Sequence, residues 1–191
     1  MDFVDEMRAG YACVSVLDAA WKEPTLPVWT DPAQSKSNLV HAMYDWWCSK
    51  GGPDRIPDRS QVDPLELAEL LPNLLMSEVE HNPFRIKYRL VGTMVSEVTG
   101  MNITGRYLDE LLSADPDQPW IEHYKTVYST KRPLFGSTTV ATIYSSILSY
   151  EFGIFPLRRG GEDIEQFIAI EDYFDRTSIV DQLQPWRDRK R

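Results

Sequence analysis

The strongest constraint on the fold is the run FRIKYRLV at residues 84–91, in which apolar and basic side chains alternate. A period of two is typical of a β-strand with one buried face and one solvated face. The preceding run at 74–81, LLMSEVEH, also predicts a strand, and Asn82 and Pro83 between the two runs favour a turn. The sequence therefore predicts a β-hairpin over residues 74–91.

Three more strand-like runs follow one another in the second half of the chain: PLFGSTTVATIYS, ILSYEFGIFPL and IEQFIAIEDYF. Gly160 and Gly161 lie between the last two runs and can adopt positive φ, which predicts a hairpin loop there. Helical patterns precede the first strand pair and separate the two groups. The predicted fold class is α+β: one five-stranded antiparallel sheet with short helices over one face and an N-terminal helical extension.

Three segments carry the pattern of a helix. From Ser37 onward, apolar residues recur at spacings of three and four, until Gly51, Gly52 and Pro53 end the segment. The segment VDPLELAELLP has Asp63 as a candidate N-cap and Pro64 at the first helical position, which predicts a helix that stops at Pro72. Four leucines of this region are predicted to pack against the sheet: Leu67, Leu70, Leu71 and Leu74. The third helix is predicted in DPDQPWIEHYKTVYST by four apolar residues at helical spacing: Trp120, Tyr124, Val127 and Tyr128.

Charge and composition narrow the range of partners. The chain has 20 basic and 29 acidic residues, a formal charge of -9, which disfavours nucleic acid and anionic membranes as partners. No apolar run approaches the roughly 18 residues of a membrane-spanning helix, and the start MDFVDEM lacks the features of a signal peptide. We therefore expect a cytoplasmic protein. Cys13 and Cys48 have no metal-binding or disulfide spacing.

The segments YRLVGT at 88–93 and GMNITGRYLDEL at 100–111 resemble the PAS family of sensory domains, and more closely the single-domain PAS-like proteins of proteobacteria. The segments DPLELAELLPNLL and FPLRRGG are similar to the same group. The resemblance implies an N-terminal arm at 1–36, a PAS-like domain at 37–178 and a C-terminal tail at 179–191. It also implies a bacterial sensory or regulatory protein that signals through contacts with a partner protein or with a second copy of itself.

Three glycines shape the segment after the second strand. We expect Gly92 to allow a sharp turn at the strand end, Gly100 to cap a short helix in the left-handed conformation, and Gly105 to open the next turn. In PAS domains such segments cover the sheet and often enclose a small ligand.

The resemblance therefore leaves a cavity and a filled core open as alternatives, although bulky aromatic residues more often fill space. The candidate cofactor-binding residues are Tyr88, His123, Phe135, Ile143, Tyr150, Phe152 and Phe167. The sequence requires no particular cofactor, and haem and flavin both stay open. A small-molecule or cofactor receptor is thus the first alternative function.

Two positions bear on which cofactor could bind. His123 lies on the helix that supplies an axial ligand in haem-containing PAS proteins, but we expect it at the edge of the apolar stripe, facing solvent or hydrogen-bonded. Ile103 stands where light-sensing PAS domains have the cysteine that forms an adduct with flavin, so adduct chemistry is not expected. An unrecognised enzyme is the second alternative, yet no nucleophile elbow or phosphate-binding loop is present.

Two further features concern signal output. Asp175 and Thr177 in EDYFDRTS resemble the Asp-x-Thr element that joins the sheet of many PAS domains to an output helix. The segment after them is short and is broken by Pro185, so we expect the signal to leave through surface contacts. The aromatic stripe from Leu39 to Trp47 could also form a dimer interface, although packing within the domain is the favoured interpretation.

Overall fold

The structure, a computed structural model, describes residues 27–111, 119–141 and 147–174. Those residues form one antiparallel sheet in the spatial order β1-β4-β5-β6-β2-β3. The strands are β1 (Val28–Trp29), β2 (Leu74–His81), β3 (Phe84–Val91), β4 (Leu134–Ala141), β5 (Ile147–Arg158) and β6 (Ile164–Tyr173). The α-helices in the described ranges are α1 (Asn38–Ser49), α2 (Thr93–Thr99), α3 (Leu108–Leu111) and α4 (Pro119–Thr130).

The sheet has one strand more than the sequence predicts. Strand β1 lies in the segment predicted to be an arm, and it pairs with Phe135 and Gly136 of β4. A two-residue strand has too few positions to show an alternating pattern, so its pairing depends on the tertiary structure rather than on local sequence.

The predicted hairpin is present, with a cis peptide bond between Asn82 and Pro83. Its alternation breaks near the end of β3, because Met76 pairs with Leu90 whereas Ser77 pairs with Tyr88. This β-bulge places one extra residue in β3, so the residues after it point to the opposite face of the sheet from the one that strict alternation predicts. Leu90, predicted to lie on the buried face, is consequently 38% exposed.

Helix α1 forms where the sequence predicts it and covers one face of the sheet, which we call the outer face. The Ser37 hydroxyl caps it by accepting a hydrogen bond from the Val40 backbone N–H at 3.0 Å. Trp47 is fully buried, and its indole N–H donates to the Pro156 carbonyl at 3.0 Å. The aromatic stripe of α1 therefore packs within the domain.

The helix predicted after Asp63 does not form, because residues 64–70 make a series of turns. The Asp63 carboxylate accepts from the Leu65 N–H at 2.8 Å, as an N-cap would, but the chain does not continue as an α-helix. Pro72 disfavours helical geometry in the residue before it, which leaves less than two turns, too short to offset the cost of starting a helix. Leu67, Leu70 and Leu74 are nevertheless buried against the outer face, as predicted.

Helices α2, α3 and α4 cover the opposite face, which we call the inner face. Gly100 ends α2 with φ 70°, as predicted. Gly92 has an ordinary negative φ, and its role is close packing, because a Cβ atom there would lie 2.2 Å from the Pro72 carbonyl oxygen. The chain does turn at Gly92, between the end of β3 and the start of α2, but without a positive φ.

The segment after α2 also covers the outside edge of β3. The Gly105 N–H donates to the Tyr88 carbonyl at 2.8 Å, and the Tyr88 N–H donates to the Arg106 carbonyl at 3.0 Å. Arg85 lies over the ring of Tyr107 with its guanidinium carbon 3.7 Å from the ring centroid. Both backbone groups of Tyr88 are therefore satisfied by this covering segment.

Candidate functional site

The inner faces of β5 and β6 carry three of the seven predicted cofactor-binding residues: Tyr150, Phe152 and Phe167. Alternation places Tyr150 and Phe152 of β5 on this face, together with Phe167, Ala169 and Tyr173 of β6. All five are at least nine-tenths buried. Because two aromatic strands lie side by side, their rings form a continuous layer under α4.

A carboxyl group lies within this aromatic layer. The Tyr173 hydroxyl donates to the Glu171 side chain, and Tyr88, Tyr124 and Tyr150 are close enough for electrostatic interaction with it. Glu171 is half-buried as a residue, but its carboxyl group lies against buried tyrosines and is desolvated. We call these five residues the tyrosine–glutamate cluster.

Burial dominates the electrostatics of the cluster. It raises the pKa of Glu171 to about 7, and the hydrogen bond from Tyr173 only partly opposes that effect. Burial also raises the pKa of Tyr88, Tyr124, Tyr150 and Tyr173, so these phenols stay protonated at neutral pH. The Glu171 carboxyl is therefore the group of the cluster that gains or loses a proton near physiological pH.

On the outer face, the neighbouring residues of β5 and β6 hold the segment that leads into α1. The Glu151 carboxylate is buried and accepts hydrogen bonds from the Ser35 hydroxyl, from the Lys36 N–H at 2.9 Å and from the Ser37 N–H at 3.0 Å. The Asp172 carboxylate accepts from the Ser37 hydroxyl at 2.7 Å. We call these five residues the carboxylate clasp.

The clasp and the cluster lie back to back. Glu151 pairs directly with Asp172 across the strands, and this pair is flanked by the pairs Tyr150–Tyr173 and Phe152–Glu171. Two carboxylates at opposite positions repel each other, and the donors of residues 35–37 offset that repulsion. A displacement of the strand backbone at these pairs would therefore be felt on both faces of the sheet.

The structure brings together some of the predicted cofactor-binding residues and separates others. Tyr88, Tyr150, Phe152 and Phe167 share the inner face. Phe135 belongs to the outer core, with its ring 5.7 Å from that of Phe155, so it shares no cavity with the others. Its neighbour Leu134 takes the inner position in β4 instead. Ile143, Asp175 and Thr177 lie outside the described residues.

His123 is buried, so of the two expected placements, facing solvent or hydrogen-bonded, the first is wrong. It is 8% exposed, and its ring stacks on Phe152 with centroids 5.7 Å apart. The spacing Trp120, His123, Tyr124 and Val127 follows i, i+3, i+4 and i+7, which places the histidine on the buried side of α4. Burial lowers its pKa, and its Nδ1 atom has no hydrogen-bond partner in the described ranges.

Several residues of the site are absent from the sequence prediction, although a signal for two of them exists. The alternation that buries Phe167 and Ala169 also places Glu171 and Tyr173 on the inner face. Tyr124 of α4 lies within electrostatic interaction range of Tyr88 in β3 and of Ser77 in β2, so the site joins these three elements. No local pattern shows that contact, because it depends on how the helix docks on the sheet.

The inner face does not fit a large cofactor as it is packed. Ring centroids lie 4.9 Å apart for Trp120 and Phe152, 5.0 Å for Tyr124 and Phe167, and 5.2 Å for Tyr150 and Tyr173. These are contact distances, so a flavin or haem would have to displace rings. Two surface grooves that the described residues form, of about 320 Å³ and about 450 Å³, lie elsewhere, and no group of three or more His, Cys, Asp or Glu in those ranges is placed to hold a metal.

Comparison with known proteins identifies one family. The family model described as PAS domain matches residues 35–170, well over half of the 191 residues. No curated protein matches the sequence. None of the described helices is long and apolar enough to cross a membrane.

Many solved structures are similar to the chain, and three of them have identities of 12–14%. One is a light-oxygen-voltage domain studied with a flavin analogue, at 13% identity and a TM-score of 0.46 over 68% of this chain and 98% of that one. An RNA-binding light-oxygen-voltage receptor has 14% identity and a TM-score of 0.47 over 87% of this chain and 45% of its own. The LOV protein of Rhodobacter sphaeroides has 12% identity and a TM-score of 0.43 over 75% and 70%.

Proposed function

The chain belongs to the PAS-domain family, and we propose on this basis that it is a sensory or regulatory domain, not an enzyme, that signals through contact with a protein partner or a second copy of itself. One observation carries the proposal. The Glu171 carboxyl, whose pKa is raised to about 7, lies directly behind the residues that hold α1 to the sheet. The group that would receive the signal, on the inner face, and the residues that would transmit it, on the outer face, therefore lie on adjacent residue pairs of β5 and β6.

The signal would pass through the backbone of β5 and β6. When Glu171 is ionised, a charge is buried among protonated tyrosines, which favours conformations that let water reach the carboxyl. Such a rearrangement of the Phe152–Glu171 pair also moves the neighbouring Glu151–Asp172 pair. The clasp then holds residues 35–37 less firmly, and the population shifts toward a state in which α1 is loosened.

Hydrogen–deuterium exchange tests this coupling. We expect amides of residues 35–49 to exchange faster at about pH 8.5 than at about pH 5.5, after correction for intrinsic exchange. In Glu171→Gln this difference should disappear, because the glutamine is neutral at both pH values. Light scattering on the same samples reports whether loosening of α1 changes the oligomeric state. Equal protection of α1 in both proteins at both pH values would overturn the proposal.

A small-molecule receptor is the second candidate, and the buried Nδ1 atom of His123 favours it. A polar atom left without a partner in the described ranges could be satisfied by a ligand that contacts α4. The test is to purify the protein natively, record its absorption spectrum and analyse by mass spectrometry any compound released on denaturation. A released compound or a haem or flavin band supports the receptor, whereas a clean apoprotein overturns it.

A further inference from the structure

A positively charged groove lies on the part of the outer face formed by β2, β3 and β6. Its volume is about 450 Å³, and its lining residues are Arg59, Met76, Glu78, Arg89, Leu90, Arg159 and Gln166. We call it the arginine groove. It is separate from both the tyrosine–glutamate cluster and the carboxylate clasp.

The residues that line the groove carry a net positive charge. Glu78 is its one acidic lining residue, and it pairs with Arg89 and, at 3.3 Å, with Arg159. The side chains of these two arginines remain 48% and 64% exposed. Three arginines against one glutamate leave a local excess of positive charge on a chain whose formal charge is -9. The groove therefore attracts anionic groups while the rest of the molecule repels them.

Gln166 gives the groove an acceptor that lacks a donor. The residue is 6% exposed, and its Nε2 donates to Glu78 at 3.2 Å. A carboxylate only accepts hydrogen bonds, so the amide orientation is fixed with Oε1 on the other side. That oxygen is buried and has no hydrogen-bond partner among the described residues. A buried acceptor without a donor costs free energy, which a bound N–H group would recover.

The groove also contains an exposed apolar residue. The β-bulge in β3 turns Leu90 onto the outer face, where it lies beside Met76 and is 38% exposed. A phosphate group gains no stabilisation from an apolar contact, whereas an apolar side chain of a peptide does. The combination of cations, an acceptor and an apolar surface in one open groove is that of a peptide-binding site.

We propose that the arginine groove binds an acidic segment of a protein partner. Carboxylates of the segment pair with Arg89 and Arg159, a backbone N–H donates to Gln166 Oε1, and an apolar side chain packs on Leu90. The proposal rests on the proposed function, because it gives the chemistry of the protein partner through which the domain would signal. Binding itself requires no change in the tyrosine–glutamate cluster.

Fluorescence polarisation with a defined probe tests the proposal. The probe is a short fluorescein-labelled peptide of alternating glutamate and leucine, and the control peptide has glutamine in place of glutamate. Arg159→Glu should weaken binding of the probe at least about tenfold, as expected when a charge-assisted pair becomes a repulsive one. Lys125→Glu makes the same change of charge on α4, at a side chain 47% exposed, and should alter the affinity by less than about twofold.

The outcomes separate the alternatives. Preferential binding of the glutamate peptide, lost in Arg159→Glu and kept in Lys125→Glu, supports the groove. No binding of the probe, equal binding of the glutamine peptide, equal effects of the two variants, or tighter binding of a single-stranded oligonucleotide would each overturn it. Glu171→Gln serves as the link to signalling: if it leaves α1 exchange unchanged while Arg159→Glu still abolishes binding, the proposed function fails and the groove stands.

Discussion

Replacement of Glu171 by glutamine should change how stability depends on pH. The pKa of this carboxyl rises from 4.5 in the unfolded chain to about 7 in the folded protein, because burial disfavours its charge. A raised carboxyl pKa means that the folded state binds the proton more tightly. The stability contributed by the protonated form is fully present below pH 4.5 and is lost as the pH rises through about 7.

The expected magnitude is set by the two pKa values. At roughly 1.4 kcal/mol per pKa unit, the ionised carboxyl lowers the free energy of unfolding by about 3 kcal/mol above pH 7, an order-of-magnitude figure. Glu171→Gln keeps the shape and the acceptor for Tyr173 but carries no charge. We therefore expect the variant to lose about 3 kcal/mol less than the wild type between about pH 4.5 and about pH 8.

Urea denaturation of both proteins at these two pH values measures the difference. His123 contributes with the opposite sign, because its lowered pKa makes the folded state favour the neutral ring as the pH rises. That contribution is common to both proteins and cancels in the comparison. If wild type and variant lose the same free energy of unfolding over this range, the Glu171 carboxyl is not desolvated and the reasoning fails.

Three other predictions concern packing and caps, all measured by urea denaturation. Ser37→Ala removes the N-cap of α1 and should lower the free energy of unfolding by about 1–2 kcal/mol, and an unchanged value would contradict the cap. Gly92→Ala should lower the free energy of unfolding by about 1–3 kcal/mol because its Cβ would meet the Pro72 carbonyl. Gly161→Ala, whose Cβ would have the Asp163 backbone nitrogen as its nearest neighbour at 4.0 Å, an ordinary contact, should change it by less than about 0.5 kcal/mol. Phe152→Ala should cost about 3–5 kcal/mol if the inner face is a filled core, and a much smaller loss would indicate an existing cavity.

Much of the fold is predictable because its signals are local. Ser37 marks the start of α1, the alternation in residues 84–91 marks β3, and Gly100 ends α2. The failures have tertiary causes. Strand β1 exists only because β4 offers it a partner, and the bulge that exposes Leu90 is a property of the β2–β3 pairing and not of either strand alone.

The site is less predictable than the fold. The aromatic residues of β5 and β6 are visible as alternating patterns, and the same alternation places Glu171 on the inner face, against the rule that an acidic residue ordinarily faces solvent. His123 lies at i+3 from Trp120 and could be placed on the buried face by spacing alone. The clasp could not be predicted, because Glu151 and residues 35–37 are more than a hundred positions apart in the chain.

The segment over the edge of β3 has a consequence for how this domain associates with other chains. An open edge strand can recruit a strand from another protein through backbone hydrogen bonds. At Tyr88 both backbone groups already bond to Gly105 and Arg106, so no incoming strand can pair there. Recognition at this point of the edge must therefore use side chains, which read the chemistry of a partner more selectively than a backbone ladder does.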